Sequence, residues 1–275
     1  MKKKMLTLIG IALSVVMLFG FAGCDSAADT GKTLRVGMEC AYAPFNWTQV
    51  NAANGAVKLA DGTYAGGYDV EIAKRIAEYM GRELVIVKTE WDGLAPSLTS
   101  GRIDAIIAGM SATDDRKQTI DFSDNYYYSD LVVVVHGAGA YANAASLDDF
   151  AGAKITGQLN TIHYDVIDQL TGVDKQTALK DFPTMIIALT SGRINGYISE
   201  RPGALSAVAA NPELSFIAFE PGAGFDFATE EVSIAVGITQ NSPLAAEINA
   251  ALATISDADR QSIMDNAVIN QPIGQ

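Results

Sequence analysis

The chain has 275 residues, 49% of them apolar and 19% charged, with a formal charge of −13 at neutral pH. The apolar share suffices for a packed core, and a charged share below the usual ~25% argues against long solvated helical arms. The acidic balance argues against nucleic acid as a partner and against broad adhesion to anionic lipid.

Lys2, Lys3 and Lys4 precede an uncharged, apolar stretch over 5–23. Basic start, apolar middle and small residues at the cut are the marks of a secretory leader. Phe21-Ala22-Gly23-Cys24 resembles the lipobox of bacterial lipoproteins, with Phe21 where Leu is usual. The expectation is a lipoprotein signal peptide over 1–23, lipid on Cys24 and a polar tether over 24–32. The stretch is also near the ~20 residues that an uncleaved membrane anchor requires. Loss of 1–23 removes three Lys and no acid, which takes the formal charge from −13 to −16. Cys40 then stands alone, and no disulfide forms within one chain.

Residues 33–38 alternate like a first strand, and a loop with Tyr42, Pro44, Phe45 and Trp47 follows. Residues 48–67 read as an excursion or hairpin. Asp69 sits where an N-cap belongs, with Ile72, Ala73, Ile76, Ala77 and Met80 at helical spacing and Gly81 as the stop. Residues 84–87 are the next strand, and Asp92 or Gly93 opens a helix ending in Leu98-Thr99-Ser100-Gly101-Arg102-Ile103. Residues 103–108 form a nearly continuous apolar run, as of a strand covered on both faces. The chain then turns polar through Ser111, Thr113, Asp114, Asp115 and Arg116. Open α/β sheets bind ligands just past the carboxyl ends of their strands, so this loop is a candidate site.

Residues 131–135 predict a strand crossing to a second lobe. Residues 154–156 predict a strand, 158–163 a loop and 164–170 a helix. Pro183 starts a helix ending in Leu189-Thr190-Ser191-Gly192-Arg193-Ile194, which repeats 98–103 residue for residue. A strand follows this copy too, and then Glu200 and Arg201. The period of 91 residues is too long for a solenoid. It fits two lobes of similar build, each offering a loop to a shared cleft; chance identity of a helix-stop phrase is the alternative. Pro202 begins another helix, 214–219 a strand, and 233–238 a strand that returns to the first lobe. Helices from Ser242-Pro243 and over about 258–267 close the chain. Strands alternating with helices point to α/β lobes. The expected division is lobe 1 over 33–130 and 230–275, and lobe 2 over 131–229.

Six motifs in combination carry a family resemblance: Tyr42-Ala43-Pro44-Phe45, Gly67-Tyr68-Asp69-Val70, Trp91-Asp92-Gly93-Leu94, the stretch 107–113 with Arg116, Asp121-Phe122-Ser123, and the second Ser-Gly-Arg-Ile. Together they resemble bacterial solute-binding proteins for polar amino acids, the extracytoplasmic receptors of ATP-driven (ABC) importers. The resemblance covers about 33–267. It implies an α/β, two-lobed "Venus flytrap" of the periplasmic-binding-protein type II fold, each lobe a mostly parallel sheet flanked by helices, with two hinge strands. It also implies a monomer without a cofactor that binds a free amino acid and docks on a permease in the cytoplasmic membrane.

The resemblance assigns the site residue by residue. Arg116 matches the grip on the ligand α-carboxylate, a pairing that suits a guanidinium, which is bidentate and always charged. By residue type alone, Arg116 after two Asp reads as a surface charge. Ser111 matches a donor to the same carboxylate. Gly109 and Met110 match carbonyls near the ammonium. Thr161 and Asn160 match lobe 2 donors to the carboxylate, although Gln158-Leu159-Asn160-Thr161 stands where the family has Gln-Gly-Thr-Thr. Glu200 matches the acid, often Asp, that pairs with the α-ammonium. Tyr42 and Trp91 match the rings flanking the ligand side chain, and packing in the core or at the rim is their other reading. Glu39 matches an acid facing a cationic side chain, so Lys, Arg or a related cation is the expected ligand.

A rival class is a cyclohexadienyl- or arogenate-dehydratase-type enzyme on the same fold, which needs a general acid. The chain has two His, His136 after an apolar strand and His163 near the lobe 2 loop. No nucleophile–base pair, metal-ligand spacing or Gly-rich phosphate loop accompanies them.

Overall fold

The computed structural model describes residues 32–220, 222–227 and 232–272; the expected leader, Cys24 and nearly all of the tether lie outside them. The chain opens with β1 (Thr33–Met38), β2 (Ala41–Tyr42), β3 (Asn46–Gln49), β4 (Val57–Lys58) and β5 (Tyr64–Gly66). Strands β2 to β5 form a small antiparallel sheet of their own, in the order β2-β3-β5-β4, which is the excursion expected after Trp47.

Helix α1 (Tyr68–Tyr79) turns Val70, Ile72, Ala73, Ile76 and Ala77 inward, and Gly81 ends it with φ +62°. Its N-cap is Gly67, not Asp69. Gly67 has φ +124°, and a Cβ there would meet the Phe45 carbonyl at 2.3 Å, so only glycine lets the two segments approach. Asp69 lies in the first turn and is fully buried.

Next come β6 (Glu83–Lys88), α2 (Leu94–Thr99), β7 (Ala105–Ile106), α3 (Asp114–Lys117) and β8 (Asp121–Tyr128). Only two residues of the apolar run 103–108 pair as strand, yet all but half-buried Asp104 are buried, because β7 is the middle strand of its sheet. Then follow β9 (Leu131–His136), β10 (Lys154–Thr156), α4 (Ile162–Asp165), β11 (Asp174–Lys175), α5 (Phe182–Thr190), β12 (Gly196–Glu200), α6 (Arg201–Ala210) and β13 (Leu214–Ile217). The helix expected over 164–170 starts earlier: extended Thr161 caps it, and the chain tightens to a 3-10 turn over Val166–Gln169. Strand β14 (Ser233–Ile238) and helices α7 (Leu244–Ala253) and α8 (Asp257–Asn270) complete the described chain.

Two five-stranded sheets result, β6-β1-β7-β14-β8 and β11-β10-β12-β9-β13. In each, the first three strands are parallel and the last two pairings are antiparallel. The expected mostly parallel sheet is thus parallel in its three-strand core and mixed as a whole. The fourth position in each sheet is taken by the strand arriving from the other lobe, β14 in lobe 1 and β9 in lobe 2, and both enter antiparallel. Strand β9 shows the period of two: Val132 and Val134 join the core that also holds lobe 1, whereas Leu131, Val133 and Val135 face a second, lobe 2 core with Phe150, Ile155 and Ile198.

The repeated hexapeptide occupies the same place in both lobes, between a helix (α2, α5) and the third parallel strand (β7, β12). Gly101 and Gly192 have φ +72° and +74°. The Arg102 amide donates to the Ser97 carbonyl and that of Arg193 to the Ala188 carbonyl, both at 2.9 Å. The residues after the hexapeptide, Asp104 and Asn195, each donate a 2.8 Å backbone bond to the middle strand of the parallel trio, at Arg35 of β1 and Lys154 of β10.

Candidate ligand-binding cleft

The loops after the parallel strands of both sheets meet between the lobes. From lobe 1, Glu39 follows β1 and is buried. Both of its carboxylate oxygens accept from Gln158 Nε2 across the cleft, at 3.2 and 3.1 Å. Burial raises Glu39 from 4.5 to about 7, and the Gln158 bond only partly offsets it.

Arg116 sits in α3, half-buried, with Nη1 donating to the Ser111 carbonyl at 2.8 Å and Nη2 to the Asn160 carbonyl of lobe 2 at 3.1 Å. Its guanidinium lies 5.1 Å from the centre of the Trp91 ring. Burial lowers Arg116 to about 10, against which Asp165 acts.

From lobe 2, Glu200 is the N-cap residue of α6 and is 1% exposed. Its Oε2 lies 2.8 Å from His163 Nε2, although the two are not aligned as a hydrogen bond. Burial pushes Glu200 up and His163 down, so both favour the uncharged form. The Arg116 charge adds to the shift on His163, so the guanidinium acts on the imidazole that faces Glu200.

Seven buried side-chain polar atoms among the described residues lack a hydrogen-bond partner, and six belong to this region: Tyr42 OH, both ring nitrogens of His163, Tyr197 OH, Ser199 Oγ and Glu200 Oε2. Phe182 ties them together. It stacks on Tyr42 at 4.0 Å and meets His163 and Tyr197 edge-on at 5.7 and 6.2 Å. Native proteins leave few such atoms unpaired, so a cluster of them calls for a partner.

Several expected roles change in detail. Tyr42 and Trp91 do not form a facing pair: Tyr42 packs on Phe182, and Trp91 lies under Arg116, its Nε1 donating to the Asn160 carbonyl at 3.3 Å. The Met110 carbonyl accepts from the Ala235 amide at 3.1 Å, so pairing with β14 occupies it. Gly109 has φ +62°, its amide donates to Tyr126 OH at 3.3 Å, and a Cβ would press on the Tyr42 ring at 3.0 Å. Ser111 contributes its carbonyl to Arg116. The Thr161 hydroxyl turns into its own loop and donates to the Gln158 carbonyl at 2.7 Å. The Asn160 side chain donates to Asp92 Oδ1 at 2.7 Å and is committed to lobe 1.

Behind the lobe 1 loops lies a buried relay. Asp69 accepts from Tyr126 OH at 2.7 Å and from Asn46 Nδ2 at 2.8 Å. Asn46 Oδ1 accepts from the Cys40 amide at 2.7 Å. Asp69 therefore holds both the loop after β1 and the loop after β7. Burial raises it to about 6 despite these bonds.

A family model for bacterial extracellular solute-binding proteins, family 3, matches residues 34–266. The chain belongs to this family. It is 34% identical over 212 residues to the probable histidine-binding protein of Campylobacter jejuni, covering 75% of this chain and 76% of that one. It is 30% identical over 274 residues to the L-arginine-binding protein of Pseudomonas aeruginosa, covering 91% and 90%. Among solved structures, an amino acid ABC transporter substrate-binding protein from Streptococcus pneumoniae bound to L-arginine superposes with a TM-score of 0.76 at 27% identity, covering 88% of this chain and 95% of that one.

These relatives are binding proteins, and the dehydratase alternative finds no support among them. The solute-binding family is extracytoplasmic. No helix among the described residues is long and apolar enough to cross a membrane, and no group of three or more His, Cys, Asp or Glu there could hold a metal.

Sequence reasoning missed His163, Phe182, Tyr197 and Ser199 as parts of the cleft. The carboxyl-end rule alone points to His163, just past the loop after β10, and to Ser199, at the carboxyl end of β12. Phe182 and Tyr197 carry no signal beyond that of core residues.

Proposed function

We propose that this solute-binding protein is the receptor of an amino-acid ABC importer and captures a free cationic amino acid between its lobes. Arg116 would take the α-carboxylate and Glu200 the α-ammonium, with Glu39 and its acidic surroundings receiving the side-chain cation. The observation that carries the reading is the cluster of buried polar atoms without a hydrogen bond that includes Glu200 and His163, the imidazole lying within the field of the Arg116 charge. The preference for a cation is supported by a cavity of about 270 Å³ whose lining holds four acids, Glu39, Glu90, Asp92 and Asp181, against two lysines, Lys88 and Lys180, with the Trp91 ring beside them. A guanidinium or imidazolium there finds carboxylates and a ring face together. The names of relatives that bind arginine and histidine point the same way.

Capture would proceed by closure of the two lobes about β9 and β14, within the proposed division 33–130 with 230–275 against 131–229. The receptor would act as a monomer, held at the membrane by lipid on Cys24, and deliver its ligand to a permease. Calorimetric titration with L-arginine, L-lysine, L-histidine, L-glutamine and L-glutamate tests the ligand class. Tight binding of the first three is expected; tight glutamine or glutamate binding with none for the cations overturns it. Release of the protein from the membrane fraction by Cys24→Ala tests the anchor.

A further inference from the structure

Asn160 lies on the lobe 2 loop between β10 and α4, where the sequence departs from the family phrase. Its φ is +57°, a left-handed conformation that Asn tolerates better than most residues. The turn points two groups at lobe 1, which make three hydrogen bonds. The carbonyl accepts from Arg116 Nη2 and from Trp91 Nε1, and the side-chain amide donates to Asp92 Oδ1. No opening of the cleft on this side leaves these contacts in place.

We propose that Asn160 and Asp92 form an interlobe clasp that sets how far the cleft stays closed before a ligand arrives, and so sets affinity without touching the ligand. The proposal rests on reading the cleft as the binding site. A ligand carboxylate on Arg116 competes with the Asn160 carbonyl for Nη2, although the guanidinium has five donors in all. The amide–carboxylate bond to Asp92 is outside that competition. It persists in the liganded state and favours closure with or without a guest. A receptor whose binding-competent state is better populated binds with higher apparent affinity. Asn160 and Asp92 are therefore positioning residues, acting through the place they give Arg116 and Trp91.

Trp91 is a native reporter of the clasp. In a Trp47→Phe background, acrylamide quenching of the ligand-free protein reads the exposure of Trp91 alone. Asn160→Gly keeps the left-handed backbone and both carbonyl contacts and removes only the amide. Asp92→Ala removes the acceptor. Each variant should increase quenching and raise the dissociation rate of L-arginine about tenfold, as loss of one hydrogen bond to a charged group does, with little change in the association rate. The double variant should be no worse than either single, because one bond is lost in all three. Unchanged quenching in Asn160→Gly overturns the clasp, as does a double variant that sums two independent losses. Should Asp92→Ala fold poorly, Asn160→Gly decides alone. Should the wild type bind none of the amino acids tested, the functional reading fails, while quenching still decides the clasp.

Discussion

The two copies of Leu-Thr-Ser-Gly-Arg-Ile fold alike and lead to opposite chemistry. Each stops a helix with a left-handed glycine, and the residue after each donates to the middle strand of the parallel trio in its own sheet. After the third strand the lobes part company. Lobe 1 runs through a seven-residue loop, 107–113, before α3 and presents Arg116; lobe 2 passes straight from β12 into α6 and presents Glu200 at its N-cap. Local scaffolding is duplicated, whereas the group at its tip is not: a guanidinium on one side and, on the other, a buried carboxyl that a ligand ammonium would draw back to its charged form suit a zwitterion held between them.

The strongest way to break this comparison is to remove one tip. Arg116→Ala or Glu200→Ala should weaken L-arginine binding at least about 100-fold, since truncating one member of a buried charged pair costs roughly 3–5 kcal/mol. Titration calorimetry reads it, and near-wild-type affinity in either variant would remove that tip from the site.

The next largest effect concerns a feature that we find only in lobe 1 among the described residues, the Asp69 relay. Asp69→Ala leaves the buried Tyr126 hydroxyl and the Asn46 amide without their acceptor. A loss on the order of 3 kcal/mol in unfolding free energy is expected from two such orphaned groups. Denaturant titration measures it, and a cost under about 1 kcal/mol would mean that the loops after β1 and β7 hold themselves.

Glu39 sharpens the comparison through pH. Its folded value, raised from 4.5 to about 7, means that the buried acid favours its protonated form. A raised carboxyl contributes stability that is whole below about pH 4.5 and is lost as pH rises to about 7. The Glu39→Gln variant lacks this loss. Relative to wild type it should therefore gain on the order of 2 kcal/mol between pH 4.5 and 7.5 in the ligand-free state. Thermal unfolding across that range reads the difference; parallel curves would place Glu39 in contact with solvent. The same variant should bind L-arginine more weakly, because the side-chain cation loses its counter-charge.

Periodicity and the exact repeat were enough to draw both lobes, because strands, helix stops and the charge after each third strand are local facts. Arg116 and Glu200 likewise stand out as charges that follow the two third strands, whereas Glu39 was reached only through the family resemblance. What was hidden depends on where the lobes meet. Nothing local tells that Tyr42 packs on Phe182, that Met110 spends its carbonyl on β14, or that the Asn160 amide reaches Asp92 across 68 positions. Asp69 misled for a related reason: an acid at the start of a helix looks like a cap, and only the close approach of Phe45 to Gly67 moves the cap back two residues.

The smallest effect tests the scaffold itself. A Cβ at Gly101 or at Gly192 would meet nothing within 4 Å, so the cost of alanine there is conformational alone. Holding a non-glycine residue in the left-handed region costs roughly 1–2 kcal/mol, reduced by the lower entropy of the unfolded alanine chain. Gly101→Ala and Gly192→Ala should therefore each lower stability by about 1 kcal/mol, and by equal amounts, since the two turns share φ within 2° and the same hydrogen bonds. The sites lie on different sheets with no shared partner, so the double variant should show the sum. L-arginine affinity should stay unchanged in all three, because the turns precede the third strands and the ligand contacts follow them. Unequal costs would mean that identical sequence and identical geometry are supported differently by the two lobes. The likeness of the copies would then end at the hydrogen bonds of the turn.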